Sequence, residues 1–429
     1  MRTRKSKIQI SIIILTILLL LCSFSSTVFG RDNYAIGIAT IEDNGQFLLD
    51  TRESVSEAIT AYQKAGYRVY GVGNPGKQHL WEQLYADVQF FNCHGNQECV
   101  VTAISGIVVG SDRMYGNKDC IGTNSVHWDA DTILVIYAAC QGAGNDGINN
   151  PNSVARKTAE RGADVVMAWR SSVETTSLRA WTRNYNNALA NGYTVIKAMD
   201  YANSFSYSDS RVPQNSTIIH HGDTSIKIGK YRSANSDEIR PEDNLLLKSK
   251  SRSSVKIDEG NLENIYSIIK DTYPEFDEKN YVITKGNAQS INQNNGEIEE
   301  TEYINFKFKV GEFETTSGFT IKARNNIVEA IYDNTVDFNK EMNILNQENS
   351  LRTRSTNEND IELLKNEAIN ELLEKYNNCV EVNPEDVTYK YLYDIDTDKK
   401  YVEFTIRNTI GDNSTNEVAE AYDTVKFEI

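Results

Sequence analysis

Apolar and polar positions follow two different rules along this chain. Between residues 33 and 229, short unbroken apolar runs alternate with helical stripes. The runs are Tyr34 to Ile41, Tyr67 to Val72, Val88 to Gly95, Ile133 to Ala139 and Asp164 to Trp169. They show no inside/outside alternation, as expected of strands buried on both faces of a parallel sheet. Between them, Val55, Ile59 and Tyr62 repeat at helical spacing over 50–65, and Gly66 provides a stop. Further helices are predicted over 153–161, along Leu178, Trp181, Tyr185 and Leu189, and over 195–202. A short helix is expected over 79–85, a hairpin over 100–109, and a polar loop around His127 and Trp128. The segment closes over 218–228. This alternation predicts a doubly wound α/β domain over residues 31–229.

Beyond it the rule changes. Residues 230–260 are polar and charged and read as a linker. Residues 261–333 begin with a helical stripe at Leu262, Ile265, Tyr266 and Ile269. Alternating strands follow, with Ile304, Phe306, Phe308 and Val310 sharing one face. A second polar linker is expected over 334–358. Residues 359–429 repeat the plan, with a stripe at Leu364, Ala368, Leu372 and Tyr376, then Val402, Phe404 and Ile406 alternating. Two small α+β units are predicted.

The candidate chemistry sits at the ends of two apolar runs. VQFFNCHG delivers His94 and Gly95, and TILVIYAACQGAG delivers Cys140. Ligands bind at the carboxyl ends of parallel strands in open α/β sheets. If the two strands are neighbours, imidazole and thiol meet at one sheet edge, as nucleophilic catalysis requires. A glycine after the histidine lets a backbone N–H approach a developing oxyanion. The competing reading of Cys140 is a small buried hydrophobe. Cys93 should face away from His94 on its strand, and His220-His221 reads as a turn pair rather than a metal site.

Charge and cysteine count narrow the class. Residues 1–30 read as a secretory signal peptide, with a basic start (Arg2, Arg4, Lys5, Lys7) and an apolar core from Ile8 to Leu21. A secreted protein follows, or one anchored to a membrane if the segment is not cleaved. Cleavage removes four cations and takes the net charge from −16 to −20. That excess argues against nucleic acid as a partner. It leaves calcium open as a ligand, although no cofactor is required. Asp394, Asp396 and Asp398 have the opening spacing of a calcium loop, but Lys399 and Thr405 break it, so a hairpin turn is expected. Five cysteines remain, an odd number, which leaves at least one thiol unpaired.

Residues 33–229 resemble the caspase-like cysteine peptidase superfamily, in particular its bacterial gingipain and CHAT-type branches. The resemblance rests on FFNCHG, VIYAACQGAG, GADVVMAWRSSV, NGYTVIKAMDYA and HHGDTSIKI in that order. It implies a thiol endopeptidase with Cys140 as nucleophile and His94 as general base and acid. The N–H groups of Gly95 and Cys140 would form the oxyanion hole. Protein or peptide substrates follow. The position two before the nucleophile, often charged or polar in that family, is Ala138. Glu42 and Asp43, Trp169 and Arg170 are therefore the pocket candidates. The acidic pair would favour a basic P1 residue and Arg170 an acidic one; the basic preference is the expectation. The C-terminal units carry no catalytic constellation and are candidates to bind or restrain the peptidase domain. The alternative is an inactive caspase-like module used for binding.

Overall fold

The computed structural model describes residues 34–39, 49–73, 86–97, 99–103, 107–110, 113–116, 119–122, 132–160, 162–209, 211–212, 218–232, 246, 255, 257, 262–291, 297–347, 358–375, 380–412 and 417–429. The signal segment, the predicted 79–85 helix, the His127 loop, Cys379 and the candidates Glu42 and Asp43 lie outside them.

The first part of the chain runs β1 (Tyr34–Ala39), α1 (Leu49–Lys64), β2 (Arg68–Gly73) and β3 (Val88–Asn92). The two-residue β4 (His94–Gly95) follows, then a meander of β5 (Cys99–Ala103), β6 (Ile107–Gly110), β7 (Arg113–Gly116) and β8 (Asp119–Gly122). Next come β9 (Leu134–Ala138), α2 (Val154–Glu160), β10 (Val165–Trp169), α3 (Thr175–Ala190), α4 (Val195–Asn203) and β11 (Ile218–Gly222). In space, β2, β1, β3, β9 and β10 are parallel neighbours in that order, and β11 adds antiparallel to β10. The region is α/β with a mostly parallel central sheet.

The apolar runs explain the sheet. Every residue of β3, β9 and β10 is buried. Alternate side chains feed two cores, one on each face. Phe90, Ile136, Met167 and Trp169 pack with Tyr62 of α1, Trp181 and Tyr185 of α3, and Met199 of α4. Phe91, Tyr137 and Val166 pack on the other face with Ala155 of α2. The helices are held at their ends by the expected devices. Gly66 takes φ +96° after α1, Glu174 accepts from the Ser177 N–H at the start of α3, and Thr194 accepts from the Lys197 N–H at the start of α4. The meander is longer than the sequence pattern indicates: the 100–109 hairpin continues into β7 and β8.

The remaining chain forms α5 (Glu263–Thr272), β12 (Tyr281–Ile291), β13 (Ile298–Val310), β14 (Phe313–Arg324), β15 (Ile327–Asp333) and α6 (Phe338–Gln347). Then come α7 (Glu358–Lys375), β16 (Glu381–Val382), β17 (Thr388–Asp394), β18 (Lys399–Asp412) and β19 (Glu417–Glu428). Strands β12 to β15 pair antiparallel in sequence order over a core that includes Ile265, Phe306 and Phe319. Strands β17 to β19 do the same over Ala368, Phe404 and Ile406. Asp394 accepts from the Asp396 and Thr397 N–H groups in the β17–β18 turn.

Two features cross the linkers drawn from composition. β12 pairs parallel with β11, Ile219 opposite Gln289, so the central sheet continues into the C-terminal half. Within 230–260, the Leu246 N–H donates to the Ile331 carbonyl and the Ile257 N–H to the Asn326 carbonyl, which lays these residues along β15. Polar composition could not reveal these isolated apolar anchors. The second predicted linker, 334–358, is not irregular throughout: it contains α6, whose Met342 and Ile344 are buried in the core with Phe306 and Phe319, because a few apolar residues at helical spacing are outweighed in composition by their polar neighbours.

Candidate active site

Sheet register brings the two candidate catalytic residues together. Asn92 of β3 pairs with Ala138 of β9, and His94 and Cys140 each lie two residues beyond that pair. Both side chains line one small cavity with Thr51, Asn92, Val173 and Ala421. Its volume is about 20 Å³, room for roughly one water. Cys93, between β3 and β4, packs with Phe91 and Ala139 in the opposite core and also borders the cavity. Cys93 and Cys140 are both free thiols.

The turn after β9 is what turns a core cysteine into a cleft residue. Gln141 adopts φ +55°, a conformation unusual for a residue with a side chain and costing on the order of 1 kcal/mol. It is secured by its own N–H, which donates to the Ser171 carbonyl at 3.3 Å, and by its amide, which donates to Ser172 Oγ at 3.2 Å. Gly142 is buried under Ala168 and Tyr137. At the facing wall, Gly95 comes against the nucleophile's own backbone. A Cβ there would lie 2.8 Å from Cys140 O, 2.8 Å from Ala139 Cβ and 3.5 Å from Cys140 N. Only glycine fits this approach without displacing the chain.

The electrostatics are those of a closed site. Cys140 is 3% exposed and His94 2%. Burial pushes the Cys140 thiol up to about 12, an effect that the Val173 carbonyl, accepting from Sγ at 3.6 Å, only partly offsets. Burial likewise pulls the His94 imidazole down to about 4, against the opposing influence of the Asp423 charge and a hydrogen bond with the Glu420 backbone. Near neutral pH the pair is a neutral thiol beside a neutral imidazole. In this closed form desolvation outweighs every local interaction of the thiol.

The pocket candidates disperse. Trp169 is fully buried in the core, edge-on to Trp181 at 4.9 Å between ring centres. Arg170 donates from Nε to the Asn145 carbonyl at 2.9 Å and braces the loop after Cys140. Neither lines the cavity. The residues that do surround the thiol include several that sequence reasoning did not single out: Gln141, Ser172, Val173 and Arg211. Arg211 pairs with Asp209 at 3.0 Å and lies close enough to Cys140 for its charge to favour the thiolate form.

The other unforeseen participant is β19. Glu420 lies opposite Gly95 in antiparallel register, and Tyr422 bridges to Glu174 in parallel. The Glu420 carboxylate accepts from Gln141 Nε2 at 2.5 Å and from Ser172 Oγ. Nothing in the sequence pattern marks these residues as neighbours of Cys140, since Ser172 and Glu420 are 248 positions apart.

No protein-family model matches the sequence, and no curated protein matches it. Among solved structures, the chain has a similarity to the Drosophila initiator caspase Dronc, at 9% sequence identity and a TM-score of 0.29. That match covers 48% of this chain and 85% of the caspase. A likeness at this level carries no weight in the reading of the site.

Proposed function

We propose that the protein is a cysteine endopeptidase of caspase-like type, with Cys140 as nucleophile and His94 as its base. The observation that supports it is the register of β3 and β9, which sets imidazole and thiol around one cavity beside a backbone that tolerates only glycine. In this reading His94 takes the Sγ proton as sulfur bonds to the scissile carbonyl carbon. The carbonyl oxygen becomes an oxyanion facing the Gly95 and Cys140 N–H groups. Collapse breaks the C–N bond, and His94 returns the proton to the leaving amine. Water, deprotonated by His94, then hydrolyses the thioester and restores the thiol.

Secretion follows from the basic-then-apolar start of the chain. A basic P1 preference rests on Glu42 and Asp43, three and four residues past Ala39, which itself pairs with Asn92 at the carboxyl edge of the sheet. The test is cleavage of a mixed peptide library by the Glu420→Lys chain, which lacks the carboxylate that holds β19 to Gln141 and Ser172, beside the same chain with Cys140→Ala or His94→Ala added. Cleavage after Lys or Arg is expected only where both Cys140 and His94 are intact. Cleavage that survives both substitutions would overturn the catalytic assignment, and cleavage after other residues would overturn the pocket assignment.

A further inference from the structure

The groove above Cys140 is already filled by a strand. On one bank, β4 uses one edge to pair with β5 and turns the other to β19, with Gly95 opposite Glu420. On the other bank, Glu174 bridges to Tyr422, the Thr175 hydroxyl donates to Asp423 Oδ1 at 3.5 Å, and the Thr176 and Thr424 hydroxyls meet at 2.7 Å. Residues 420–424 therefore touch both banks without a break. At the floor, Ala421 closes the cavity that holds His94 and Cys140. The Arg211 guanidinium stacks on the Tyr422 ring at 4.8 Å.

Glu420 is the anchor. Its carboxylate takes Gln141 and Ser172 from the α/β region and Arg407 Nε, at 2.9 Å, from its own hairpin. It is 8% exposed, and charge-assisted hydrogen bonds of this kind are the stronger class. Adding a strand to an open backbone edge is a common way for proteins to take an extended peptide. A peptide bond entering this same groove would come to the Cys140 sulfur at its floor.

We propose that the groove is a strand-binding site for extended peptides and that residues 420–424 occupy it as a built-in competitor, keeping the site shut until the C-terminal unit moves. The proposal rests on the peptidase reading for the identity of the displacing ligand, but not for the closure itself. Two features fit the role. β19 is paired with β18 along its length, from Tyr401–Glu428 to Asp412–Glu417, so it leaves as part of its unit rather than by peeling away. Closure also accounts for the desolvated dyad: withdrawing the strand returns water to both side chains and relieves the burial that disfavours a thiolate–imidazolium pair.

The test reads Cys140 itself, by mass-spectrometric mapping of iodoacetamide labelling on the full chain, with Cys93 as an internal reference. Glu420→Lys removes the anchor and should speed Cys140 labelling by about 10- to 100-fold, the scale of one or two lost charge-assisted hydrogen bonds. The double variant Thr176→Cys with Thr424→Cys places two sulfurs where the hydroxyls now meet. Oxidised, it should lock the strand and protect Cys140; reduced, it should label like the parent. Equal labelling in the parent, the Glu420→Lys chain and the oxidised lock would overturn the proposal. If Glu420→Lys loosens the fold and exposes Cys93 as well, the lock decides: failure to protect Cys140 overturns the proposal, and protection upholds it. Faster labelling without any peptide cleavage upholds the closure and refutes the peptidase reading. Cys140-dependent cleavage with no change in labelling does the reverse.

Discussion

Gly95→Ala is the sharpest perturbation available at the site. The added methyl would sit 2.8 Å from Ala139 Cβ and 2.8 Å from Cys140 O. Both partners are fixed in the turn that carries the nucleophile, so β4 must shift outward. Overpacking of this kind costs about 1–3 kcal/mol. The shift also withdraws the 95 N–H from the proposed oxyanion position, and loss of one such donor lowers kcat by roughly 10²- to 10³-fold. Gly142→Ala is the matched comparison. Its methyl meets Ala168, Tyr137 and Val154 at 3.4, 3.5 and 3.7 Å, ordinary contact distances. The expected stability change is within about 1 kcal/mol, with activity close to the parent. The assay is kcat/KM on a fluorogenic peptide in the Glu420→Lys background, with thermal unfolding alongside. If Gly95→Ala loses no more activity and no more stability than Gly142→Ala, the close approach of Gly95 to Cys140 is not part of the mechanism.

Other expectations follow from the same structure. Cys140→Ala gives up weak Sγ contacts with Val173 and Ser172 and a small amount of buried packing, so cleavage should vanish while the unfolding midpoint stays within the range of a change of about 1 kcal/mol. Trp169→Ala should destabilise by about 3–5 kcal/mol in denaturant titration, as expected of a fully buried core ring, while leaving the order of preferred P1 residues unchanged. Glu341, which accepts from Ser317 Oγ, is pushed up to about 7 by burial. Because its folded pKa lies above its unfolded one, the associated stability is full below pH 4.5 and declines as pH rises through 7, by up to about 3 kcal/mol. Glu341→Gln should flatten that decline in urea titrations at pH 5 and pH 8, and an unchanged slope would show that this carboxyl is not its source.

How much of this was legible in advance depends on range. The apolar runs placed β1, β3, β9 and β10, and the stripes placed α1, α3 and α4, because burial on both faces and helical periodicity are local signals. His94 and Cys140 could be paired from sequence because each ends an apolar run, so neighbouring strands sufficed to unite them. Trp169 and Arg170 followed the same logic and did not reach the cavity. Strand ends fix a residue's height in the sheet, but side-chain direction depends on packing: Trp169 turns into the Trp181 core and Arg170 onto the Asn145 loop. Gln141 and Ser172 gave no signal because their roles come from a positive φ and from a partner far along the chain. The placement of β19 was least legible. Its alternation told only that one face would be buried. That Glu420 would meet Gly95 is a property of how the units dock, which no local pattern encodes.

The central claim is that Cys140 attacks a peptide carbonyl with help from His94, and a peptidyl chloromethyl ketone tests it most directly. Such a reagent needs both an extended groove and an activated sulfur at its floor. The Glu420→Lys chain should gain one adduct, on Cys140, and the gain should be lost when His94→Ala is added. Labelling of Cys93 in place of Cys140, or an adduct on Cys140 that forms equally fast without His94, would contradict the account.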